Sequence, residues 1–261
     1  MTKEDLSRLK VWFSSFCRSY YSENTEDQKN IDLKENHTFN VCKKTIALTS
    51  SLGLDENRSL IAEAAALFHD IGRFPQYAEY KTFRDGISIN HGLLGAETLI
   101  KNNALSGLPK IEQNWITTAV KFHNAYMLAD INDPEALFYL KLVRDADKLD
   151  IWGLFHLYYI TSKDERPSAV GLGFPEGPEY SQALIECILN RQLAKLADLK
   201  TLNDFKLLQL TWVFDLNFKP SFKMFVEGGY LEKIVSTLPQ NDDIEKMHSA
   251  LNKFIKEKLE T

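Results

Sequence analysis

The sequence predicts an all-helical fold, and two observations support this prediction. Apolar residues recur three and four positions apart in one segment after another, as Leu6, Leu9 and Phe16 do near the start of the chain. Strand patterns are weak, because no run of alternating β-branched residues is found and the dipeptide Asp85-Gly86 lies in a polar segment. We therefore expect a bundle of packed helices.

Capping residues and apolar spacing place the individual helices. The expected helices are, in chain order, one through Leu6 to Phe16, one from about Asn36 to Ser51, one capped by Asp55, one from near Asn90, one marked by Ile111 to Val120, and one from Asp133-Pro134 towards Asp147. Two segments with prolines and glycines are expected to be irregular, namely Gly72 to Ile89 and Ser162 to Tyr180. The second is interpreted as a long loop over a site.

Composition and charge limit the classes of partner. The chain is 44% hydrophobic, which is enough for a sizeable core, and its formal charge of −5 argues against bulk binding to nucleic acid or to anionic membranes. No apolar run approaches the ~18 residues that span a bilayer, and the acidic N-terminus is unlike a signal peptide. Cys17, Cys42 and Cys187 are few and widely spaced, so a cytoplasmic protein is expected.

Histidines and aspartates carry the chemistry that the sequence indicates. His69 and Asp70 follow an apolar run, so the end of one helix presents an imidazole beside a carboxylate, a ligand mixture that divalent metals use. Asp147 lies in a stretch flanked by apolar residues, and a buried carboxylate is costly unless it is paired or metal-bound. Asp145 is the alternative to Asp147, and Asp145 or Asp150 could instead orient a ligand histidine.

The order of these motifs resembles that of the HD-domain phosphohydrolases. The matching elements are His37, the stretch His69-Asp70-Ile71-Gly72-Arg73-Phe74, and Asp147 within Asp145-Ala146-Asp147-Lys148-Leu149-Asp150. His91, with Gly92 and Gly95 after it, and His123 resemble the additional histidines of the binuclear members. The resemblance covers roughly residues 30–155 and implies an all-α HD-domain helical bundle with additional C-terminal helices.

The same resemblance implies a binuclear metal centre. Its ligands would be His37, His69, Asp70, His91, His123 and Asp147, with Asp70 bridging two ions. The ions would be divalent, and a mixed histidine and carboxylate site accepts Fe, Mn, Mg, Ni or Zn. Two such ions can share a hydroxide and lower its pKa, so a metal-bound hydroxide is the expected nucleophile.

Two basic residues beside the motifs are expected to act with Asp70 in catalysis. Arg73 could hold a phosphate in bidentate fashion, and Lys148 could do similar work beside Asp147. The alternative for either is a salt bridge to the nearby carboxylates. His156, among apolar neighbours, is interpreted as a residue of the core or of a pocket edge, and His248 as a surface residue.

Three functions are compatible with this pattern. The first is a phosphomonoesterase or phosphodiesterase acting on a nucleotide or other small phosphorylated metabolite. The second is a mixed-valent diiron oxygenase, and the third is a catalytically silent, metal-binding regulatory module. The sequence lacks the Gly-Tyr-Pro element of the cyclic-dinucleotide enzymes, since His91 is followed by Gly92-Leu93-Leu94. The whole chain, residues 1–261, is expected to form one domain, with a C-terminal helical extension from about 178 to 261.

Overall fold

The computed structural model describes residues 1–161 and 173–260. Within these ranges the regular structure is helical and contains no strand, which confirms the predicted all-α fold. Two compact units are formed, one by residues 1–150 and the other by residues 151–161 and 173–260. That the whole chain folds as one domain stays a prediction. Among the described residues, no helix combines the length and the hydropathy that a membrane span requires.

The first unit is built from seven helices and a short 3-10 helix, counted over residues 1–150. They are α1 (Lys3–Arg18), α2 (Thr25–Ser51), α3 (Glu56–Phe68), α4 (Arg73–Tyr80), the 3-10 helix Asp85–Ile87, α5 (His91–Lys101), α6 (Lys110–Phe122) and the first part of α7 (Pro134–Ile160). Two predicted caps are confirmed, because the side chains of Asp55 and Asp133 each accept hydrogen bonds from backbone amides of the helix that follows. Asn90, near which a helix was predicted to begin, caps α5 in the same way.

The helix α3 forms the centre of the first unit. It packs against α1, α2 and α6, and the residues from Ile61 to Phe68 are buried. Alanines at four of these positions let neighbouring helices approach closely and favour the helical backbone. Because α3 ends at Phe68 in the middle of the unit, the next two residues, His69 and Asp70, are also buried.

The helix α2 begins eleven residues earlier than the sequence predicted, at Thr25 rather than near Asn36. Asn24 caps it by accepting hydrogen bonds from the amides of residues 26 and 27. The first turns contain few apolar residues, and one of their buried contacts is polar. Asn30 is fully buried and donates a hydrogen bond to the hydroxyl of Tyr77. An apolar repeat therefore could not reveal this part of the helix.

The segment from Gly72 to Ile89, predicted to be irregular, contains the helix α4 and a 3-10 turn. Pro75 suggested a loop, but it is the third residue of α4. A proline in the first turn of a helix removes an amide that has no intrahelical partner, so the helix tolerates it. The remainder, residues 81–90, is the loop that leads into α5.

The second unit is formed by the end of α7 and by five further α-helices within its described residues. They are α8 (Gln182–Leu189), α9 (Leu202–Thr211), α10 (Lys219–Glu227), α11 (Tyr230–Val235) and α12 (Asp242–Glu260). Trp152 is fully buried at its centre, with ring centroids 4.4 Å from Phe225 and 6.2 Å from Tyr230. Of the loop predicted for Ser162 to Tyr180, residues 162–172 lie outside the described residues, and residues 173–180 contain neither helix nor strand.

Gly72 sets how closely α5 approaches the turn after α3. A Cβ atom at this position would collide with the backbone carbonyl of His91 and would lie 2.6 Å from the backbone nitrogen of Gly95. Both obstacles are backbone atoms, which cannot rotate out of the way as a side chain can. Any side chain at position 72 would therefore push α5 away and move His91 with it.

We expect Gly72→Ala to lower the free energy of unfolding by about 1 to 3 kcal/mol, the usual cost of overpacking a rigid site. The measurement is denaturant unfolding followed by circular dichroism. Gly86→Ala is the matched control, because a Cβ atom there meets nothing within 4 Å. Equal unfolding midpoints for the wild type and the Gly72 variant would contradict this account of the packing.

Candidate metal centre

The six side chains predicted as metal ligands come together inside the first unit. They are supplied as follows: His37 by α2, His69 and Asp70 by the turn after α3, His91 by the first residue of α5, His123 by the residue after α6, and Asp147 by α7. All except Asp147, which is partly exposed, are buried. That they bind metal stays a prediction, which the geometry below supports.

The carboxylate of Asp70 lies between two pairs of histidines. Its Oδ2 atom is 3.8 Å from Nε2 of His37 and 3.8 Å from Nε2 of His69. Its Oδ1 atom is 3.3 Å from Nε2 of His91 and 3.6 Å from Nε2 of His123. Each carboxylate oxygen therefore faces one pair, which is the arrangement expected of a bridging ligand.

Within each pair the two imidazoles point their Nε2 atoms at one another. The Nε2 atoms of His37 and His69 are 3.3 Å apart, and those of His91 and His123 are 3.0 Å apart. Asp147 joins the first pair, with its Oδ1 atom 3.0 Å from Nε2 of His37. Two groups of possible metal ligands result, and Asp70 belongs to both.

The Nδ1 atoms of the four histidines are all held by oxygen atoms. Their partners are Asp150 Oδ2 at 2.7 Å for His37, the Ala66 carbonyl at 2.7 Å for His69, Asp85 Oδ2 at 2.7 Å for His91, and the Val120 carbonyl at 2.7 Å for His123. Because carbonyl and carboxylate oxygens accept, each Nδ1 donates. A neutral imidazole with hydrogen on Nδ1 has a lone pair on Nε2, as a metal ligand requires.

These distances fit divalent metal ions. Two ligands bound at about 2.1 Å to one ion lie roughly 3.0 to 3.4 Å apart, depending on the bond angle. The Nε2 separations within both histidine pairs fall in this range. The lone pairs of two Nε2 atoms that face each other at such a distance repel unless a cation or a proton lies between them. The arrangement of these nitrogen atoms is therefore favourable only with a positive charge between them.

Burial and nearby charges shift the pKa values of the predicted ligands to different extents. Burial lowers the pKa of His69 to about 4 and that of His91 to about 3. Burial also lowers the pKa of His37, but its hydrogen bonds with Asp147 and Asp150 outweigh this and raise the pKa to about 9. Burial opposes ionisation of Asp70, yet Lys34, His69 and Arg73 together hold its pKa well below the ordinary value.

Two residues that were predicted neither as ligands nor as catalytic residues contact the predicted ligands directly. Lys34 places Nζ 2.8 Å from Oδ2 of Asp70. Asp85 holds His91 and also accepts from Nδ2 of Asn124 at 2.9 Å. Lys34 lies one turn before His37 in α2. A predicted helix that began at Thr25 would have included Lys34 and placed it on the same face as His37.

The two basic residues expected in catalysis have different surroundings. Nη1 of Arg73 donates to the backbone carbonyl of Phe83 at 2.6 Å and to Oδ1 of Asp85 at 3.0 Å, so its guanidinium is held against the loop before α5. Nζ of Lys148 donates to the backbone carbonyl of Arg144 at 3.3 Å. A role for either in catalysis stays a prediction.

Of the two histidines expected to lie outside the site, His248 is partly exposed on α12, where its Nε2 atom is 3.0 Å from Nδ2 of Asn252. This confirms its placement near the surface. His156 is partly buried in the second unit.

Asp150, one of the two residues proposed to orient a ligand histidine, does contact His37.

The six residues of this arrangement lie in a part of the chain that matches a known protein family. Residues 35–152 match the family model for the HD domain. This part of the chain is therefore similar to HD domains. The match includes all six predicted ligands and a little under half of the 261 residues. The HD superfamily consists mostly of metal-dependent hydrolases, and HD domains bind divalent metals. No curated protein and no solved structure gave a significant match to the chain.

We expect metal binding to the metal-free protein to release about one proton from His37 at pH 7. With a pKa of about 9 this imidazole is protonated at neutral pH and must become neutral to bind a metal, whereas His69 and His91 are neutral already. Affinity should therefore rise with pH between about 7 and 9. Calorimetric titrations in buffers of different ionisation enthalpy measure the release.

The matched variant for this measurement is Asp150→Asn. It removes the negative charge beside Nδ1 of His37 and so lowers the pKa of that imidazole. Proton release at pH 7 should fall in this variant. A metal affinity that does not change between pH 7 and pH 9 in the wild-type protein would contradict the assignment of His37 as a ligand.

Proposed function

We propose that this protein is a metal-dependent phosphohydrolase that cleaves a phosphate ester of a nucleotide or other small phosphorylated metabolite. The observation that carries the proposal is the position of the Asp70 carboxylate, with one oxygen towards each pair of histidines. The similarity of residues 35–152 to a superfamily composed mostly of metal-dependent hydrolases supports it.

The two halves of the site would hold metal unequally. Four ligands, His37, His69, Asp70 and Asp147, would hold one ion, and three, His91, His123 and Asp70, would hold the other. The half with fewer protein ligands leaves more positions for water and substrate. When bound, divalent ions would supply an activated water molecule and neutralise charge on the phosphoryl oxygens.

The chain's own residues would keep this site in one geometry. Asp150 and Asp85 fix the rings of His37 and His91, so little reorganisation is needed when substrate arrives. The sequence contains no Gly-x-Ser-x-Gly elbow and no phosphate-binding loop of the Gly-x-x-x-x-Gly-Lys type. We therefore propose that water attacks the phosphorus directly, without a covalent intermediate on the protein.

We further propose that the protein acts in the cytoplasm on a small soluble substrate. Its three cysteines form no disulfide, as expected in a reducing compartment. The net charge of −5 does not favour nucleic acid or anionic membranes as partners.

A second candidate function is oxygenase chemistry at two iron ions. The set of four histidines and two aspartates favours it, since the same ligands would serve iron equally well. Oxygen consumption by the iron-loaded protein, measured with an electrode across a panel of small metabolites, would separate it from hydrolysis. Metal binding without either activity would indicate a regulatory module.

We expect Asp70→Ala to lose metal and to reduce the rate of ester hydrolysis by roughly 10³-fold or more, because one ligand of both ions is removed. The measurements are elemental analysis and release of p-nitrophenol from mono- and bis-p-nitrophenyl phosphate. His248→Ala is the control, because this residue lies in the second unit, near the surface. Wild-type metal content and rate in the Asp70 variant would contradict the proposed function.

A further inference from the structure

Two cationic side chains contact the central carboxylate of the metal centre. Nζ of Lys34 lies 2.8 Å from Oδ2 of Asp70, and Nε of Arg73 lies 3.4 Å from Oδ1. The two cations also lie near the ring of Phe83, at 5.1 and 5.7 Å from its centroid. Both are therefore candidates for contact with an anion that binds beside Asp70.

Arg73 is held in place by the loop before α5. Its Nη1 atom donates to the Phe83 carbonyl, to Oδ1 of Asp85 and to Oε1 of Gln76. Asp85 in turn accepts from Nδ1 of His91. The bonds of Arg73 use Nη1, while Nε is buried, lies 3.4 Å from Oδ1 of Asp70 and has no hydrogen-bond partner in the described part of the chain. A movement of the whole guanidinium towards a phosphate would break the Nη1 bonds and release the carboxylate that orients His91. The contacts of Arg73 therefore favour a positioning role.

Besides the ring of Phe83, Lys34 contacts one hydrogen-bond acceptor among the described residues. Its ammonium carries three hydrogens, and the one acceptor within hydrogen-bond distance is Oδ2 of Asp70. The side chain is 17% exposed, so it can be reached from solvent. Two of its N–H groups are available to an oxygen of an incoming ligand.

The position of Lys34 is unfavourable for binding metal alone. An ammonium beside a carboxylate that would bridge two divalent ions repels those ions at short range. The repulsion is offset when an anion joins the site, because the ammonium then attracts the anion as the metals do. A fixed cation at this point therefore suits a centre whose ligand is itself anionic.

We propose that Lys34 is a substrate-binding residue that donates hydrogen bonds to a non-bridging oxygen of the phosphoryl group. The proposal rests on the proposed function and deepens it, since it assigns phosphate recognition to Lys34 in place of Arg73. A substrate with a doubly charged terminal phosphate would gain most from this contact. Neutral substrates would gain nothing from it.

The test uses inorganic phosphate as the probe, with metal-loaded full-length protein. Calorimetry measures its dissociation constant for the wild type, Lys34→Gln, Lys34→Arg and the control Lys43→Gln. Lys43 lies on the same helix, is exposed and contacts the side chain of Asn40. Metal content is measured on each sample by elemental analysis, and kcat and KM for p-nitrophenyl phosphate are measured alongside.

We expect Lys34→Gln to raise the dissociation constant of phosphate and the KM by about tenfold or more, the usual effect of losing a hydrogen bond to a charged group. Metal content should equal that of the wild type, Lys34→Arg should recover part of the affinity, and Lys43→Gln should have no effect. Unchanged phosphate affinity in Lys34→Gln would overturn the proposal. Loss of metal in that variant would also overturn it, because Lys34 would then serve to hold Asp70.

The phosphate titration separates this proposal from the proposed function. If the wild-type protein binds phosphate and cleaves no ester, the proposed hydrolysis fails, while the affinities of the Lys34 variants still decide the role of the residue. If the metal-loaded wild-type protein binds no phosphate, the role proposed for Lys34 is wrong whatever reactions the centre performs.

Discussion

The charge of the Asp70 carboxylate is the constraint on which the first unit depends. A buried carboxylate costs several kcal/mol unless cations and hydrogen-bond donors surround it. Here the surroundings are four imidazoles, the ammonium of Lys34 and the guanidinium of Arg73. The alanine-rich helix α3 places this carboxylate in the centre of the unit, and the residues that face it come from α2, α4 and α5 and from the residues that follow α3 and α6. Removing the carboxylate would leave these groups without a common partner.

The two halves of the site repeat one plan. In each half one histidine is fixed by a carboxylate, His37 by Asp150 and His91 by Asp85. The other histidine of each half follows the last turn of a helix and donates to the carbonyl three residues earlier. Contacts within the protein therefore orient all four rings, which lowers the cost of ordering them for metal binding. The halves differ because the carboxylate of Asp147 lies beside His37 in the first half and the second half has no equivalent among its predicted ligands. This difference provides a physical basis for unequal metal affinity.

Local patterns in the sequence were sufficient for the fold class and for several helix starts, since a cap such as Asp55 acts on its own helix. They were not sufficient where the apolar repeat is weak or where distant residues meet. The first turns of α2 carry few apolar residues, although Asn24 caps them and Asn30 contacts the distant Tyr77, and Pro75 suggested a loop although it lies in the first turn of α4. Asp85 lies in a polar loop without periodicity, so its contact with a histidine could not be read from spacing. Lys34 was not predicted to lie beside His37, because the predicted helix began near Asn36, after Lys34. The resemblance to HD domains predicted the six side chains that lie together as possible ligands, but not the residues that orient or neutralise them.

The central claim is that Asp70 bridges two metal ions, and anomalous diffraction from crystals of the Mn²⁺-loaded protein tests it most directly. The account predicts two peaks roughly 3.5 to 4 Å apart, one between His37 and His69 and the other between His91 and His123, with one oxygen of Asp70 bound to each. A single peak at full occupancy, or two peaks that do not share Asp70, would contradict it.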